Sequence, residues 1–530
     1  MVGAFGGARM TSAEGTSDVA ALEERRERMK AMGGADRIAR HHERGKLTAR
    51  ERIDAFVDEG SFREIQPFLA QATYDGDELT SLLPKGLIEG HAKIDGRKVV
   101  LSAGDFTVRG GSAHGGGGGL GQELNGARRA LEWGLPYVRL LDAVGGSVRG
   151  FERLGRTYMP DGNTTVAPEV ELLQTVPVAS AVLGSVAGLP AVQAPMSHFS
   201  VMVRGISQIF PGGPPVVRAA FGVDITKEEL GGDAIHTRVS GCIDNLADTE
   251  AEAFAQIRRW LSYLPRCAGE MAPRCACDDD PERREEALLS IMPKDRRKVY
   301  DVRTVVERLA DRGSFFEIAP GYGRARITGL ARFNGYPVGL MANNNRVHGG
   351  STDVAAGSKA MRLMMLCDRF NLPLISLADE PGFLVGLESE KQGIERAGAR
   401  MVATVCMTRM PWCTVVIGRL YGVAGQCHHR PSGMYERLCW PSGNWGSMHI
   451  SGGVSAAYRS EIESADDPEA KREEIEARLS AIAAPMRTAE ATGQDIIDPR
   501  DTRRRLCEFV EDAQPVLASQ LGVSRLAYLP

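Results

Sequence analysis

The chain has 530 residues, and its 64 lysines and arginines against 68 aspartates and glutamates give a formal net charge of −4. This balance argues against a nucleic-acid-binding protein, which would carry a basic excess. Hydrophobic residues (43%) and charged residues (25%) occur at globular levels, which excludes disordered and fibrous classes. The 61 glycines exceed the usual share of about 7% and indicate backbone that approaches a ligand or other backbone closely.

Two stretches in the first half need a structural interpretation. Residues 1–22 have no apolar run typical of a secretory signal, and we predict a flexible N-terminal tail. The run at 176–195 is long enough to suggest a transmembrane segment, but it contains three prolines and mostly small residues. A buried core segment is the better interpretation. We therefore expect no membrane association and a cytoplasmic location.

The chain contains an internal duplication, because segments of the first half recur in the same order in the second half. The offset between the copies drifts from 253 to 234 residues, as small loop differences would produce. We predict a first domain at 23–265, a charged linker at 266–298 and a second domain at 299–530. The paired segments are 60–65 and 313–318, 88–96 and 327–335, 108–112 and 347–351, 135–142 and 372–379, and 177–188 and 411–422.

Each half shows the same succession of elements in chain order. An amphipathic helix comes first, then two short strands around an Asp-Gly or Asn-Gly turn, then a further helix and an apolar strand. Helices that alternate with buried strands predict an α/β fold. The predicted elements are helices at 49–57, 125–133, 302–309, 358–370 and 464–479, hairpin turns at 95–96 and 334–335, and strands at 137–141 and 374–377.

Glycines follow the predicted strands at matching places in both halves. Gly145 and Gly146 correspond to the turn that contains Gly382, and Gly188 corresponds to Gly422. Backbone N–H groups at such a turn, at the start of a helix, can stabilise an anionic oxygen. The same glycines could equally do no more than permit tight turns.

Other patterns are weaker candidates for a site. Eight glycines lie between residues 110 and 121, but no P-loop lysine follows them, and we predict a flexible loop. Cys427, His428 and His429 have no third ligand at a recognisable spacing, which favours pocket lining or core. The ten cysteines form no paired Cys-x-x-Cys motifs, so we predict reduced thiols and no metal site.

Several segments together indicate a family. They are RGKLTARERI at 44–53, DFTV with GGS at 105–112, TKEELGG at 226–232, CD at 367–368 with Pro373, and DEPGFL at 379–384. With these segments the chain, from about residue 23 to 517, resembles the carboxyltransferase (β) subunits of biotin-dependent acyl-CoA carboxylases, such as propionyl-CoA and methylcrotonyl-CoA carboxylase.

The resemblance implies a fold, an assembly and a chemistry. It implies two tandem crotonase-like (ββα superhelix) domains and a homohexamer, a trimer of dimers, with the active site between the first half of one chain and the second half of a neighbour. A partner subunit would supply biotin carboxylase and the biotin carrier. The substrates would be carboxybiotin on that partner and a coenzyme A thioester. Backbone N–H groups would hold the thioester enolate and the biotin oxyanion, and no side-chain base would be needed.

The resemblance also assigns site residues by position. Catalytic backbone groups would belong to Gly188 and Leu189 in the first half and to Val423 and Ala424 in the second. Substrate-binding positions would be Arg109, Gly110, Gly111, Gly145, Gly146, Gly382, Phe383, Gly422 and Gln426.

The chain departs from the family pattern at three of these places. Leu189 and Pro190 replace the usual glycine pair, and a proline has no N–H to donate. Val423 replaces a glycine but keeps its amide. Gln426 stands where the family tunes the acyl pocket. Two alternatives therefore remain open, a biotin-dependent acyl-CoA decarboxylase subunit and a non-catalytic structural paralogue within a carboxylase complex.

Overall fold

The computed structural model describes residues 12–111, 125–146, 162–293 and 298–530, together with residues 152, 155–157 and 295. Each half contains one large sheet with helices packed against it, so the predicted α/β class with two duplicated domains is confirmed. The segment predicted as a tail is helical from Ser12 onward, and residues 1–11 lie outside the described residues.

The first half is built around a sheet that is antiparallel at one edge and parallel beyond it. Its described strands are β1 (Arg63–Glu64), β2 (Ala70–Asp75), β3 (Glu78–Pro84), β4 (Leu87–Ile94), β5 (Arg97–Gly104), β6 (Tyr137–Leu141), β7 (Val178–Val182), β8 (Ser185–Ala187), β9 (Phe199–Val203), β10 (Gln208–Phe210) and β11 (Asn245–Ala247). The large sheet has the order β1-β4-β5-β6-β7-β9-β11, while β8 pairs with β10 and β2 with β3. β6, β7 and β9 are buried throughout, as expected for parallel strands covered by helices.

The second half repeats this sheet. Its described strands are β12 (Phe316–Ile318), β13 (Arg326–Phe333), β14 (Tyr336–Asn343), β15 (Leu374–Glu380), β16 (Trp412–Tyr421), β17 (Tyr435–Cys439), β18 (Asn444–Gly446) and β19 (Asp495–Ile496). The order is β12-β13-β14-β15-β16-β17-β19, with β18 paired to β16. β12, β13 and β14 pair antiparallel, and the remaining pairs are parallel.

The strand registers reproduce the duplication residue by residue. The pairs aligned among β1, β4, β5, β6 and β7 reappear in the second sheet at the offsets found in the sequence. Corresponding pairs are Arg63↔His91 with Phe316↔Leu330, Leu87↔Gly104 with Arg326↔Asn343, Val100↔Tyr137 with Gly339↔Leu374, and Tyr137↔Val178 with Leu374↔Trp412. The two halves therefore share one topology, and their differences can be compared position by position.

Helices link the strands and pack on the sheets. In the first half they are α1 (Ser12–Lys30), α2 (Ala35–His42), α3 (Ala49–Phe56), α4 (Gly126–Trp133), α5 (Gly162–Leu172), α6 (Leu189–Gln193), α7 (Pro214–Phe221), α8 (Lys227–Gly231), α9 (Asp233–His236) and α10 (Glu250–Ser262). In the second half they are α11 (Val302–Leu309), α12 (Val354–Arg369), α13 (Leu387–Lys391), α14 (Ile394–Met407), α15 (Gly422–Gln426), α16 (Ile450–Ala457), α17 (Arg459–Glu463), α18 (Pro468–Ile482), α19 (Pro485–Thr492) and α20 (Thr502–Ala518).

Local sequence signals account for several of these boundaries. Thr48 caps α3 in a capping box with Glu51. Asp353 caps α12 by accepting the Ala356 N–H, and the helix begins at Val354, four residues before the predicted start. The predicted hairpin turns have both central residues at positive φ, for example 48° at Asp95 and 77° at Gly96. This backbone is the reason for the Asp-Gly and Asn-Gly pairs.

The stretch predicted as linker, 266–298, lies along the second half. Of its described residues, only Glu286–Leu289 form a helical turn. The Cys275 N–H donates to the Gly335 carbonyl, and Arg283 donates to the Arg308 carbonyl at 2.9 Å. These contacts attach the connecting segment to the second half.

The two halves pack against each other through a shared hydrophobic core that includes Phe199 and Phe370. The uncharged run at 176–195 contributes β7 to this core, as the sequence predicts. The C-terminal residues also join the halves: Tyr528 lies against the His198 ring, at 4.3 Å between centroids, and its N–H donates to Gln174. Within the described residues, no helix combines the length and apolar character needed to cross a membrane.

Candidate active site

The first-half turn is formed by two glycines that touch. Gly145 follows β6, and Gly188, with φ of 69°, follows β8. A Cβ added at Gly145 would lie 3.2 Å from the Gly188 Cα and 3.7 Å from the Leu189 nitrogen. Glycine at 145 therefore keeps the Leu189 amide uncovered, and the structure brings these predicted residues together. Gly146 is exposed beside them.

Helix α6 begins directly after Gly188 and determines which amides this turn can offer. The Ala191 N–H donates to the Gly188 carbonyl at 3.0 Å, and Pro190 has no N–H. The Leu189 amide lies at the first helical position, where an N–H has no acceptor within its own helix. Among residues 189–191, the turn therefore offers a single donor.

The second-half turn has the same form and more donors. Gly422, with φ of 61°, opens α15, and the amides of Val423 and Ala424 lie in its first turn without intrahelical acceptors. The Val423 side chain is 52% exposed, while Ala424 is buried. Gln426 ends the helix and is exposed.

Gly382 and Phe383 form the turn after β15. Gly382 has φ of 134°, and its carbonyl accepts the Thr352 N–H at 3.1 Å. The Phe383 ring lies against Gly398 of α14, where an added Cβ would be 3.0 Å from ring carbons. Phe383 therefore positions the turn by packing on a helix.

A short helical turn at Arg109–Gly111 lies beside the Gly145 turn. Gly110 accepts the Val144 N–H at 2.9 Å, and an added Cβ at Gly111 would lie 2.8 Å from the Ala143 Cβ. Arg109 donates to the Gln71 side chain at 2.7 Å. Most of the predicted glycine-rich loop at 110–121 lies outside the described residues.

A buried aspartate lies at the end of the equivalent strand in each half, and neither aspartate is among the site residues predicted from the sequence. Asp142 pairs with Arg52 at 2.9 Å and with Lys46 at 2.5 Å. Asp379 pairs with Arg419 at 2.7 Å and accepts the Tyr300 hydroxyl at 3.2 Å. The sequence signal that could have identified them is that both aspartates occupy the same position in the duplicated segments 135–142 and 372–379.

Two glycines that the duplication paired make room for these aspartates. A Cβ at Gly184 would lie 2.0 Å from Asp142 Oδ1, and one at Gly418 would lie 2.5 Å from Asp379 Oδ1. These glycines therefore serve packing around the carboxylates. They account for part of the glycine excess without contacting a ligand.

A buried polar cluster lies next to the second-half turns. Arg326 Nη2 lies 2.7 Å from Glu380 Oε2, and Arg326 Nη1 lies 3.0 Å from His428 Nε2. Burial alone would raise the pKa of Glu380, but the neighbouring His428 and the Arg326 charge lower it to about 2. Burial and the Arg326 charge lower the pKa of His428. His428 was a possible metal ligand from the sequence. In the structure its neutral ring accepts a hydrogen bond from Arg326 in this cluster.

A cavity of about 230 Å³ lies between the halves, and none of the glycines assigned to the site lines it. Its charged lining groups already have partners. Arg362 pairs with Asp244 at 2.5 Å, and Lys359 donates to three backbone carbonyls, of Ala319, Tyr322 and Arg326. Burial lowers the pKa of Lys359 to about 7. These contacts give the cavity walls a structural role between the two domains.

Histidine, cysteine and carboxylate side chains do not assemble into a metal-binding group of three or more within the described residues. The candidate catalytic groups are the backbone amides at the start of α6 and of α15, at two equivalent turns. Such amides can stabilise negative charge on an oxygen without gaining or losing a proton.

The comparisons with known proteins agree with this geometry. The family model of the carboxyl transferase domain matches residues 40–514, which include both halves. The carboxyltransferase subunit of propionyl-CoA carboxylase from Haloferax mediterranei is 38% identical over 92% of this chain and 94% of its own length. The methylmalonyl-CoA carboxyltransferase 12S subunit of Propionibacterium freudenreichii subsp. shermanii is 34% identical over 92% and 93%.

Two further similarities bear on fold and activity. The crystal structure of transcarboxylase 12S, described as a hexamer assembly with methylmalonyl-coenzyme A and methylmalonic acid bound, superposes with a TM-score of 0.84 at 32% identity, covering 95% of this chain and 96% of that one. This match confirms the predicted crotonase-like carboxyltransferase fold. The alpha subunit of methylmalonyl-CoA decarboxylase from Veillonella parvula is 32% identical over 91% of this chain and 93% of its own.

Proposed function

Because this chain belongs to the carboxyl transferase family, as the carboxyltransferase subunit of a biotin-dependent acyl-CoA carboxylase, we propose that it carboxylates a short-chain acyl-CoA at its α carbon. The observation that carries this proposal is the pair of equivalent glycine turns, one in each half. At each turn, backbone N–H groups lie at the start of a helix and have no acceptor within that helix. Propionyl-CoA, with methylmalonyl-CoA as product, is the first candidate, because the relatives named above act on this pair.

The second-half turn suits the biotin oxygen. Val423 and Ala424 present two amides at the start of α15, and an oxyanion is stabilised by such preorganised donors. Carboxybiotin, when bound, supplies the carboxyl group and the nitrogen that takes the α-proton. The chain's own part is to hold the ureido oxygen with these two amides and to exclude water.

The first-half turn suits the thioester oxygen of the acyl-CoA. Leu189 donates its amide, and Gly188 and Gly145 keep the approach to that amide open. The enolate forms when the α-proton leaves, and its negative charge falls on this oxygen. With Pro190 in the turn, a single donor stabilises it, whereas the second half has two.

The remaining assigned positions would shape the substrate sites. We assign Arg109, Gly110, Gly111, Gly145 and Gly146 to the coenzyme A thioester side. The second-half positions are Gly382, Phe383, Gly422 and Gln426, of which Gln426 is exposed where it can contact an acyl group. Phe383 would act through the turn that it anchors to Gly398.

We further propose that the active enzyme is a homohexamer with a separate subunit that carries biotin carboxylase and the biotin carrier, in the cytoplasm. The 12S structure is described as a hexamer assembly and a multienzyme core, which supports this arrangement. The active site would pair the first-half turn of one chain with the second-half turn of its neighbour.

The test is carboxyl transfer in the reverse direction, with the purified chain, methylmalonyl-CoA and free biotin. We expect propionyl-CoA to form at a rate that depends on biotin. The same assay over a panel of carboxylated acyl-CoAs identifies the acyl group. If the assembled hexamer decarboxylates none of these acyl-CoAs in the presence of biotin, the proposal is contradicted.

Similarity to the methylmalonyl-CoA decarboxylase subunit keeps decarboxylation as the alternative use of the same chemistry. The two are distinguished with the biotinylated partner present. A carboxylase couples ATP hydrolysis to carboxylation of propionyl-CoA, whereas a decarboxylase releases CO2 from methylmalonyl-CoA and needs a membrane-bound partner.

A further inference from the structure

Beside the two second-half turns lies a closed set of polar side chains that the chemistry above does not use. We call it the Arg326 network, and its charged or titratable members are Arg326, Glu380 and His428. All three have no exposed surface. Arg326 contacts the other two, at 2.7 Å to Glu380 Oε2 and 3.0 Å to His428 Nε2. Asn343 donates a further hydrogen bond to Glu380 Oε2 at 2.9 Å.

Glu380 joins this network to the Gly382 turn. Its Oε1 accepts the Gly382 N–H at 3.2 Å, and its Oε2 accepts the Thr352 hydroxyl at 2.6 Å. The Thr352 N–H in turn donates to the Gly382 carbonyl at 3.1 Å. The carboxylate therefore fixes Gly382 through both its N–H and its carbonyl.

His428 joins the network to α15, the helix that carries the Val423 and Ala424 amides. Its N–H donates to the Gly425 carbonyl, and its carbonyl accepts the Thr414 hydroxyl of β16 at 2.5 Å. Its ring Nδ1 lies 2.5 Å from the Ser376 Oγ of β15. With Nε2 accepting from Arg326, Nδ1 carries the proton and donates to Ser376. The end of α15 is thereby tied to both strands.

The duplicated half shows what the fold itself requires at these places. The offsets of 239, 237 and 234 residues put Leu87, Ala143 and Ala194 at the positions of Arg326, Glu380 and His428. Leu87 begins β4 there in the register that Arg326 has in β13, while Ala143 follows β6 and Ala194 follows α6. The fold therefore does not need a charge at these three positions.

The first half has buried ion pairs of its own, with a different reach. Arg52 pairs with Asp142 at 2.9 Å and with Glu250 at 2.7 Å. Arg139 pairs with Glu169 at 3.1 Å and donates to the carbonyls of Gln193 and Met196 at the end of α6. Among the described hydrogen bonds and ion pairs of these side chains, none reaches Gly145 or Gly188. Buried ion pairs are costly to desolvate and are often replaceable by apolar side chains. A network that spans two turns in one half alone therefore points to the chemistry of that half.

We propose that the Arg326 network positions the second-half site for carboxyl transfer, by holding the Gly382 turn and the first amides of α15 at one relative placement. This inference rests on the proposed function, because it assigns those amides to the biotin oxygen. Glu380 and His428 are positioning residues in it. They act through the backbone that they hold.

The variant Glu380→Gln tests the network in the full-length chain. Glutamine can still accept the Gly382 N–H, but its NH2 then faces the donors of Arg326, Thr352 and Asn343. Misplaced amides weaken transition-state stabilisation more than substrate binding. We expect kcat for carboxyl transfer from methylmalonyl-CoA to free biotin to fall roughly 100-fold. KM for methylmalonyl-CoA should change less than threefold.

Asp311→Asn is the matched control. Asp311 pairs with the buried Arg503 at 2.8 Å in the same half and accepts the Asn334 and Gly335 N–H groups, at the far end of the β13–β14 hairpin. Loss of this pair should lower the thermal midpoint and leave kcat within twofold of wild type. Equal proportional losses of kcat in both variants would overturn the positioning role.

A triple variant, R326M/E380M/H428L, keeps the test valid should Glu380→Gln fail to fold. It removes all three charged or titratable groups together, so no unpaired charge remains buried. We expect a folded hexamer with kcat still reduced roughly 100-fold. Wild-type kcat in this variant would overturn the proposal.

Failure of the proposed function is visible separately, in the wild-type rate. Absence of wild-type turnover with methylmalonyl-CoA contradicts the proposed substrate, and the variants are then compared on the acyl-CoA that the panel identifies. Normal wild-type turnover with an unaffected Glu380→Gln variant contradicts the network alone.

Discussion

Pro190 marks the chief difference between the two halves at the residue scale. At the offset of 234 residues, Gly188, Leu189 and Pro190 correspond to Gly422, Val423 and Ala424. The third position donates an amide in the second half and none in the first. The oxyanion site proposed for the first half therefore has fewer donors.

Pro190→Ala should raise kcat, because alanine restores an N–H at the start of α6 and adds less backbone freedom than glycine would. Loss of one oxyanion donor commonly costs 10²–10³-fold in kcat, so a gain of roughly tenfold or more is expected. Pro195→Ala, beyond the end of α6, serves as the control and should leave kcat unchanged. A fall in kcat for Pro190→Ala would show that the site has been rebuilt around the proline.

The depressed pKa of Glu380 predicts a pH dependence of stability. The pKa is about 2 in the folded chain against an ordinary 4.5, so the stabilisation is complete above about pH 4.5 and is lost as the pH falls toward 2. Its size is about 3 kcal/mol. The difference in thermal midpoint between wild type and Glu380→Gln should shrink between pH 5 and pH 3. A constant difference would contradict this protonation linkage.

At the scale of elements, paired glycines and aspartates build the strand ends. Gly184 packs against the Asp142 carboxylate and Gly418 packs against the Asp379 carboxylate, so both halves use the same glycine–aspartate contact. The sequence shows the glycines as a repeated pattern. It does not show that a carboxylate from the neighbouring strand, rather than a ligand, occupies the space beside them.

Gly184→Ala should destabilise the chain by about 1–3 kcal/mol, because the new Cβ would lie 2.0 Å from a carboxylate that Arg52 and Lys46 hold in place. Chemical denaturation measures this loss. Gly452→Ala is the control, since nothing lies within 4 Å of its Cβ and it lies within α16. That control should be neutral or slightly stabilising. Equal stability of the two variants would contradict the packing role of Gly184.

Predictability from sequence also differs between elements. The strand at 137–141 and the helices beginning at 49 and 302 were predicted closely, because apolar periodicity and capping residues are local signals. Helix α12 begins at Val354 rather than 358, because Asp353 caps it. The Arg326 network could not be predicted, since Arg326, Glu380 and His428 come from β13, β15 and the segment after α15, which meet only in the folded sheet.

At the scale of the whole molecule, the C-terminal segment holds the two halves together. Tyr528 is 2% exposed between His198 and Arg362, and Arg369 donates to the Leu526 carbonyl at 2.6 Å. The duplication and the two-domain fold were readable in the sequence, because ordered repeats survive divergence. The contact of this segment with the first half was not, since no local pattern encodes it.

Tyr528→Ala should lower the free energy of unfolding by about 3 kcal/mol, because a large buried side chain leaves a cavity between the halves. Leu529→Ala, whose side chain is 65% exposed, should change it by less than about 0.5 kcal/mol. Thermal and urea unfolding of the assembled protein measure both. Similar small effects would contradict a joining role for Tyr528.

The central claim is that backbone amides, rather than side-chain bases, perform carboxyl transfer, and Ala424→Pro tests it most directly. Proline there removes one amide and copies the arrangement that the first half already contains at Pro190, and Ala424→Gly is the matched control that keeps the amide. The measurement is kcat for carboxyl transfer from methylmalonyl-CoA to free biotin. We predict a fall of roughly 100-fold or more for Ala424→Pro with an intact hexamer, and a near-normal rate for Ala424→Gly. A wild-type rate in Ala424→Pro would contradict the account.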